Sequence, residues 1–160
     1  MSVPGENEKL RRCVSAALTR LAHEPGPLLE ILHAVQDELG CVPAEAVPLI
    51  AEGLNLSRAE VHGVISFYHH FRAHPVGKLH VQICRAEACR SMNGDAVAQL
   101  ARERFRVEFG ETRADGAVTL DEVYCLGLCA CAPSAMFNGE PVGNVDAQAL
   151  ESRAREHEVS

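Results

Sequence analysis

The sequence has no tryptophan, and aromatic residues make up only 4% of its 160 positions. Base stacking, the sequence-tolerant way to hold single-stranded nucleic acid, has little to work with here. Basic residues are also short: 15 Lys and Arg stand against 22 Asp and Glu, a formal net charge of −7. With no Lys/Arg cluster, a phosphate-tracking surface is excluded, so no nucleic-acid partner is expected. No apolar run approaches the roughly 18–20 residues that span a bilayer, so no membrane segment is expected. The first eight residues, Met1 to Glu8, are polar and lack the charged-then-apolar order of a signal peptide, which predicts a cytoplasmic protein. There is no GxGxxG, P-loop, HExxH or Ser-His-Asp order, so no catalytic centre is expected on this chain. A nicotinamide or flavin site must sit on another chain. What is present is 47% apolar and 23% charged, the balance of a folded protein.

The chain divides near Ala73-His74-Pro75-Val76-Gly77, where helical patterning gives way to strand patterning. We expect a helical bundle over 1–76 and a mixed α/β domain over 77–160. In the first part, Leu10, Val14, Ala17, Leu18 and Leu21 recur at helical spacing. Pro27 is placed to open a second helix, with Leu28, Leu29, Leu32, Val35 and Leu39 as its stripe and Gly40 as its stop. A third helix is expected from Pro43 to Gly53. Ser57-Arg-Ala-Glu60 has capping-box spacing, and Val61, Val64, Ile65, Tyr68 and Phe71 would be the buried face of a fourth helix.

In the second part, Leu79, Val81 and Ile83 alternate with His80 and Gln82, as in a half-buried strand ending at Cys84. Val97, Leu100, Ala101 and Phe105 predict a helix of roughly 15 residues. Val118 and Leu120 lead a second strand toward Cys125. Asn138-Gly139 predicts a tight hairpin turn. Asp146 is placed to cap a last helix, with Val145 and Leu150 at staple positions. Strand, helix, strand, hairpin, helix is the order of a small thioredoxin-like sheet.

Cysteine carries the chemical signal. There are seven: Cys13, Cys41, Cys84, Cys89, Cys125, Cys129 and Cys131. An odd count in a chain with no export signal argues for a metal or redox site over a disulfide framework. Cys84-Arg-Ala-Glu-Ala-Cys89 is a C-x4-C pair at the end of one strand. Cys125-Leu-Gly-Leu-Cys129 is a C-x3-C pair at the end of another. Neighbouring strands lie about 5 Å apart, so loops leaving their same ends would gather four thiols. Four thiolates need cations or must be oxidised to disulfides. Soft ligands select zinc, copper(I) or iron–sulfur clusters. A 2Fe-2S cluster takes four Cys, two on each iron, and suits these wider pairs; zinc and a disulfide pair stay open on spacing alone. A thioredoxin-type redox enzyme is disfavoured because C-x2-C is absent. Gly127, lacking a Cβ, would let backbone N–H groups approach the sulfurs.

These two pairs, about 35 residues apart, behind a helical segment, resemble the thioredoxin-like 2Fe-2S ferredoxin subunit family of respiratory complex I. Relatives occur in bidirectional hydrogenases and NAD-dependent formate dehydrogenases. Pro27 to Gly40 and Glu60 to Tyr68 also resemble that family, so the likeness runs from about residue 25 to 145. The segments Cys84 to Met92 and Tyr124 to Pro133 look most like the gamma subunit of the soluble, molybdenum- or tungsten-containing formate dehydrogenase. The resemblance implies a thioredoxin-like domain behind a small helical bundle. It implies one 2Fe-2S cluster held by Cys84, Cys89, Cys125 and Cys129. It implies an electron-transfer subunit beside a flavin- and NAD-binding beta-type subunit, with a molybdenum or tungsten alpha-type subunit in the same complex. Loop proximity would put Cys84 and Cys89 on one iron and Cys125 and Cys129 on the other. All-Cys plant-type clusters sit near about −400 mV.

Cys131 departs from the complex I relatives; we expect it to pack near the cluster or to protect it as a thiol outside the ligand set. Cys13 and Cys41 are expected to pack. His62, His69, His70 and His74 are expected on a solvated or partner-facing surface. His80 and Gln82 share the strand face of Cys84 and are read as a polar face, with a hydrogen bond to the cluster as the alternative. Arg85, Glu87 and Arg90 flank the first ligand pair, either docking a partner or lying as exposed loop charges. Phe67, Tyr68 and Phe71 cannot all face one core, so at least one is expected to face another subunit.

Overall fold

The computed structural model describes residues 4–159. The chain forms two compact units, Met1–Pro75 and Val76–Ser160.

The first unit contains α1 (Pro4–Leu21), α2 (Leu28–Leu39), α3 (Ala46–Leu54) and α4 (Arg58–Phe67). Leu10, Val14 and Ala17 of α1 meet Ile31, Leu32 and Val35 of α2, Ile50 of α3 and Val61 of α4 in one buried cluster. Apolar residues three or four apart line one face of each helix, and their burial drives the packing. Pro27 takes the N-cap of α2, one residue before the helix, and Gly40 ends it with φ 79°. The third helix starts later than expected, after the Pro43–Glu45 turn, and ends at Leu54 with Asn55 as its C-cap. Gly53 is not its stop because it is a contact point: a Cβ there would lie 2.4 Å from Leu18 Cδ1. Ser57 and Glu60 form the expected capping box, each side chain accepting the other residue's N–H.

The fourth helix corrects one expectation. It ends at Phe67, and Tyr68 turns extended at its C-cap. Only Val61 of α4 is fully buried, Tyr68 is 43% exposed, and Phe67 is 72% exposed. Phe71 lies beyond the helix and returns to the core. Its segment is pinned by the buried Gln36 side chain, which donates to the His70 carbonyl and accepts from the Arg72 N–H, both at 2.9 Å.

The second unit is a five-stranded mixed sheet with helices packed on one face. Its elements are β1 (Leu79–Cys84), α5 (Glu87–Ser91), α6 (Gly94–Phe105), β2 (Glu111–Thr112), β3 (Val118–Val123), β4 (Ala135–Phe137), β5 (Glu140–Val142) and α7 (Ala147–Glu156). The strand order is β2-β3-β1-β4-β5. β1 pairs parallel with β3, while the other pairs are antiparallel. Leu79, Val81 and Ile83 of β1 and Val118 and Leu120 of β3 pack with Val97, Ala101 and Phe105 of α6 and Leu150 and Ala154 of α7. β1 is not half-exposed as its alternation suggested. His80 is buried too, with its Nε2 2.6 Å from Asp121 Oδ2 on β3. Asn138 and Gly139 take positive φ values of 48° and 85° in the turn between β4 and β5, the conformation a two-residue hairpin requires. Asp146 accepts from Ala149 N at 2.8 Å as the α7 cap, and Val145 and Leu150 share the core.

The short α5 and β2 were not expected, and α6 is 12 residues long. α5 and α6 meet at a close approach: a Cβ on Gly94 would lie 2.5 Å from the Cys89 carbonyl oxygen. Backbone cannot yield there as a flexible side chain would. Gly94→Ala is expected to destabilise the second unit by about 1–3 kcal/mol through overpacking, read as a lower urea midpoint.

Between β2 and β3, Arg113 grips Asp115 through Nε and Nη2 at 2.9 and 2.7 Å, and Asp115 accepts from Ala117 N at 3.0 Å. The Arg113 hydrogen bond first, and then the Ala117 N–H, hold the Asp115 carboxyl at about 2, below the usual value of about 3.9. A depressed carboxyl stabilises the fold above its free value, and that contribution is lost as pH falls through the depressed one. Asp115→Asn is therefore expected to lower the melting temperature at pH 6. Its difference from the parent should shrink from about pH 5 downward and vanish only below about pH 2, which melting curves from pH 6 to about pH 1 would check.

Candidate metal centre

Because β1 and β3 run parallel in register, Cys84 lies opposite Val123. Both chains therefore leave the sheet at the same end. The β1 exit runs through Cys84 into α5, which carries Cys89. The β3 exit stops at Val123, two residues short of Cys125, and turns through Cys125 and Gly127 into a 3-10 turn over Cys129–Cys131. Cys125 itself has φ 74° and Gly127 φ 78°. Two left-handed residues in three fold the loop back over β1. Gly tolerates that conformation freely, whereas for Cys125 it is uncommon and costs energy.

The loops meet. Cys84 and Cys89 are buried together with Ala132, and Ala86, Val123 and Leu126 pack around them. Cys125 and Cys129 are exposed, their sulfurs 3.8 Å apart. The electrostatics tie all four together. Burial opposes ionisation of the Cys84 thiol. The Ala86 N–H, the Cys89 thiol and the N–H groups of Cys125 and Leu126 bond to its sulfur and outweigh burial, so its pKa is lowered. Cys129 moves the other way: its hydrogen bond with Cys125, the Cys125 charge, desolvation, and then the charges of Cys89 and Cys84 raise its pKa. The other three cysteines thus make the Cys129 thiolate harder to form, and four thiolates together call for cations.

These observations are the test of fit for a 2Fe-2S cluster. The donors are four soft sulfurs in two sequence-close pairs, one buried and one exposed. Backbone N–H groups already converge on one sulfur, the kind of outer hydrogen bond that supports a ligand. Among the described residues no group of three or more His, Cys, Asp or Glu side chains is gathered around an ion's position, so the fit is one of donor chemistry. The residues fit the cluster.

The other singled-out residues fall elsewhere. Cys131 is exposed, its carbonyl accepting the Asn144 N–H at 2.6 Å and its N–H reaching the Leu128 carbonyl. Cys13 is half-buried and Cys41 buried in the first unit. His80 bonds to Asp121. Arg85 bridges Asp95 and Glu122 at 3.1 and 3.6 Å, and Arg90 is 3.7 Å from Asp95, a charged rim around the first ligand loop. Tyr124, 70% exposed, donates to Glu122 on the same rim. The rings of His70 and Phe71 each lie tilted against that of His33 in the first unit.

Two residues that matter to the site were not singled out from the sequence. Gly94 seats the Cys89 carbonyl, and an isolated Asn-Gly before a helix signals only a turn. Ser134 is buried with its Oγ 3.4 Å from Cys89 Sγ. Nothing in a lone Ser before a short strand marks it as a neighbour of a residue 45 positions away.

The family model for thioredoxin-like [2Fe-2S] ferredoxins matches residues 14–157. The chain is 32% identical over 138 residues to the NADP-reducing hydrogenase subunit HndA of Solidesulfovibrio fructosivorans, covering 86% of this chain and 81% of that one. It is 30% identical over 143 residues to a NADH-quinone oxidoreductase subunit of Rhizobium meliloti (strain 1021), covering 89% and 85%. The fold resembles a chain of the NAD+-reducing [NiFe]-hydrogenase in its H2-reduced state, with TM-score 0.70 and 23% identity. That match covers 82% of this chain but only 22% of the hydrogenase chain. The chain belongs to the thioredoxin-like [2Fe-2S] ferredoxin family, whose cofactor is one 2Fe-2S cluster.

Proposed function

We propose that this chain is the electron-transfer subunit of an NAD-linked oxidoreductase. Cys84, Cys89, Cys125 and Cys129 would hold its 2Fe-2S cluster. What supports this is that the two cysteine-bearing loops leave the same end of the β1–β3 pair and pack together, Leu126 of the second against Cys84 and Cys89 of the first. Cys84 and Cys89 would bind the inner iron, and Cys125 and Cys129 the exposed one. When bound, the cluster supplies one-electron chemistry. The chain's own residues position it, shield its inner half with Ala86, Val123, Leu126 and Ala132, and leave its outer half open to a partner.

The partner we propose is a flavin- and NAD-binding beta-type subunit, in the cytoplasm. Among the described residues no helix is long and apolar enough to cross a membrane. In the first unit, exposed Phe67 and Tyr68 border a shallow apolar groove with Leu28, Leu56 and Val64. That composition suits a protein interface, and we assign it to the same partner. The host we propose is an NAD-dependent formate dehydrogenase with a molybdenum or tungsten alpha-type subunit. The support is the sequence from Cys84 to Met92 and from Tyr124 to Pro133. Likeness to a hydrogenase subunit and to a NADH-quinone oxidoreductase subunit favours a second host class.

The anaerobically purified chain is expected to be brown and to hold about two irons and two acid-labile sulfides. Cys89→Ala and Cys125→Ala should each lose most of that iron while Cys13→Ala retains it. Full iron in either ligand variant would overturn the ligand assignment, and a colourless parent with one zinc would overturn the electron-transfer role. The native complex, isolated by a tag on this chain, is expected to reduce NAD with formate. Reduction with hydrogen instead would move the chain to the second host class.

A further inference from the structure

Ser134 is the residue just before β4, and its carbonyl accepts the Cys84 N–H at 3.0 Å. Its side chain is 1% exposed, and its Oγ lies 3.4 Å from the Sγ of the equally buried Cys89. With a protonated Cys89 either group can donate. A thiolate has no proton to give, so once Cys89 is a ligand only the hydroxyl can donate. A buried hydroxyl without a partner is costly, which holds Ser134 to that bond. We propose that Ser134 is a positioning residue that donates a hydrogen bond to the Cys89 thiolate and thereby raises the reduction potential of the 2Fe-2S centre. This rests on Cys89 being a ligand, as proposed above.

The physical reason is charge. One-electron reduction adds one negative charge, part of which spreads onto the sulfur ligands. A hydrogen bond to an ionised acceptor is of the strong class, and hydrogen bonds to the sulfurs are among the settings that fix such potentials. It strengthens as the sulfur becomes more negative, so it favours the reduced state. The proton stays on Oγ throughout, and no bond to Ser134 forms or breaks.

The test uses the purified full-length chain with its cluster, titrated with dithionite and followed by electron paramagnetic resonance. Ser134→Ala should keep iron and sulfide at the parent level and move the redox equilibrium about tenfold toward the oxidised form. That corresponds to a midpoint about 59 mV lower for one electron. Ser134→Thr keeps a hydroxyl and should restore the parent potential, whereas Ser134→Val, of nearly the same shape, should not. If Ser134→Ala fails to load, the Thr and Val pair decides, because only the hydroxyl separates them. Equal potentials in Thr and Val, or a parent-like potential in a fully loaded Ala variant, would overturn the role of Ser134. Neither result touches the ligand assignment. Full iron in Cys89→Ala would instead remove the ligand on which the bond depends.

Discussion

The parallel pairing of β1 with β3 is the constraint on which the site depends. An antiparallel pair would send the two loops out of opposite ends of the sheet. A parallel pair with Cys84 opposite Val123 brings both out together. Parallel strands need a crossover, and here α5, α6 and β2 supply it. The crossover also buries the 79–81–83 face, since α6 packs on it. The residues that make the sheet stable are therefore the ones that put the two cysteine pairs at one end of it. A register slip of one residue would turn Cys84 to the opposite face, so the apolar set on β1 also fixes the direction of its terminal thiol.

Once the loops meet, burial and charge pull against each other. Cys84 and Cys89 sit in a small apolar cluster, where an isolated thiolate is unfavourable. The answer in this fold is backbone: the N–H groups of Ala86, Cys125 and Leu126 reach the Cys84 sulfur. Two of those three come from the opposite loop, so the second loop supports the first pair's sulfur as well as bringing its own. The left-handed backbone at Cys125 and Gly127 is what turns that loop inward. The outer pair has no such shelter; Cys125 and Cys129 are exposed, and the hydrogen bond with Cys125, then its charge, raises the cost of ionising Cys129. Inner and outer sulfurs thus have different environments before any metal arrives.

Local chemistry explains what could be read from the sequence. The capping box at Ser57, the stop at Gly40, the Asn138-Gly139 turn and the Asp146 cap each depend on residues within a few positions of one another. The cysteine spacing was readable for a similar reason, since each pair is local and the strands leading to it are periodic. What escaped needs the tertiary fold. β2 is two residues long and exists only because β3 lies beside it. α5 is five residues long and is fixed by the loop geometry around Cys89. Gly53 looked like a helix stop, yet it is a seat for Leu18. Tyr68 fits the periodicity of α4 but lies past its end, where the chain turns extended. His80 alternates like an exposed residue, but Asp121 on the neighbouring strand gives its buried ring a partner.

The residues that shape the metal site follow the same division. The ligands we propose are named from spacing because the chemistry demands cysteine in pairs. Their supports cannot, because a support is defined by what it touches. Gly94 matters through the Cys89 carbonyl and Ser134 through the Cys89 sulfur. Both converge on one residue from different parts of the sequence. Cys89 is consequently held at its backbone by a helix start and faced at its side chain by a strand start, both parts of the second unit. Cys125 and Cys129 sit on an exposed loop with a 3-10 turn and lack comparable burial. The Cys84–Cys89 pair is built as part of the core and the Cys125–Cys129 pair as part of the surface. An electron carrier needs that combination, with one side fixed against the fold and the other open to its partner.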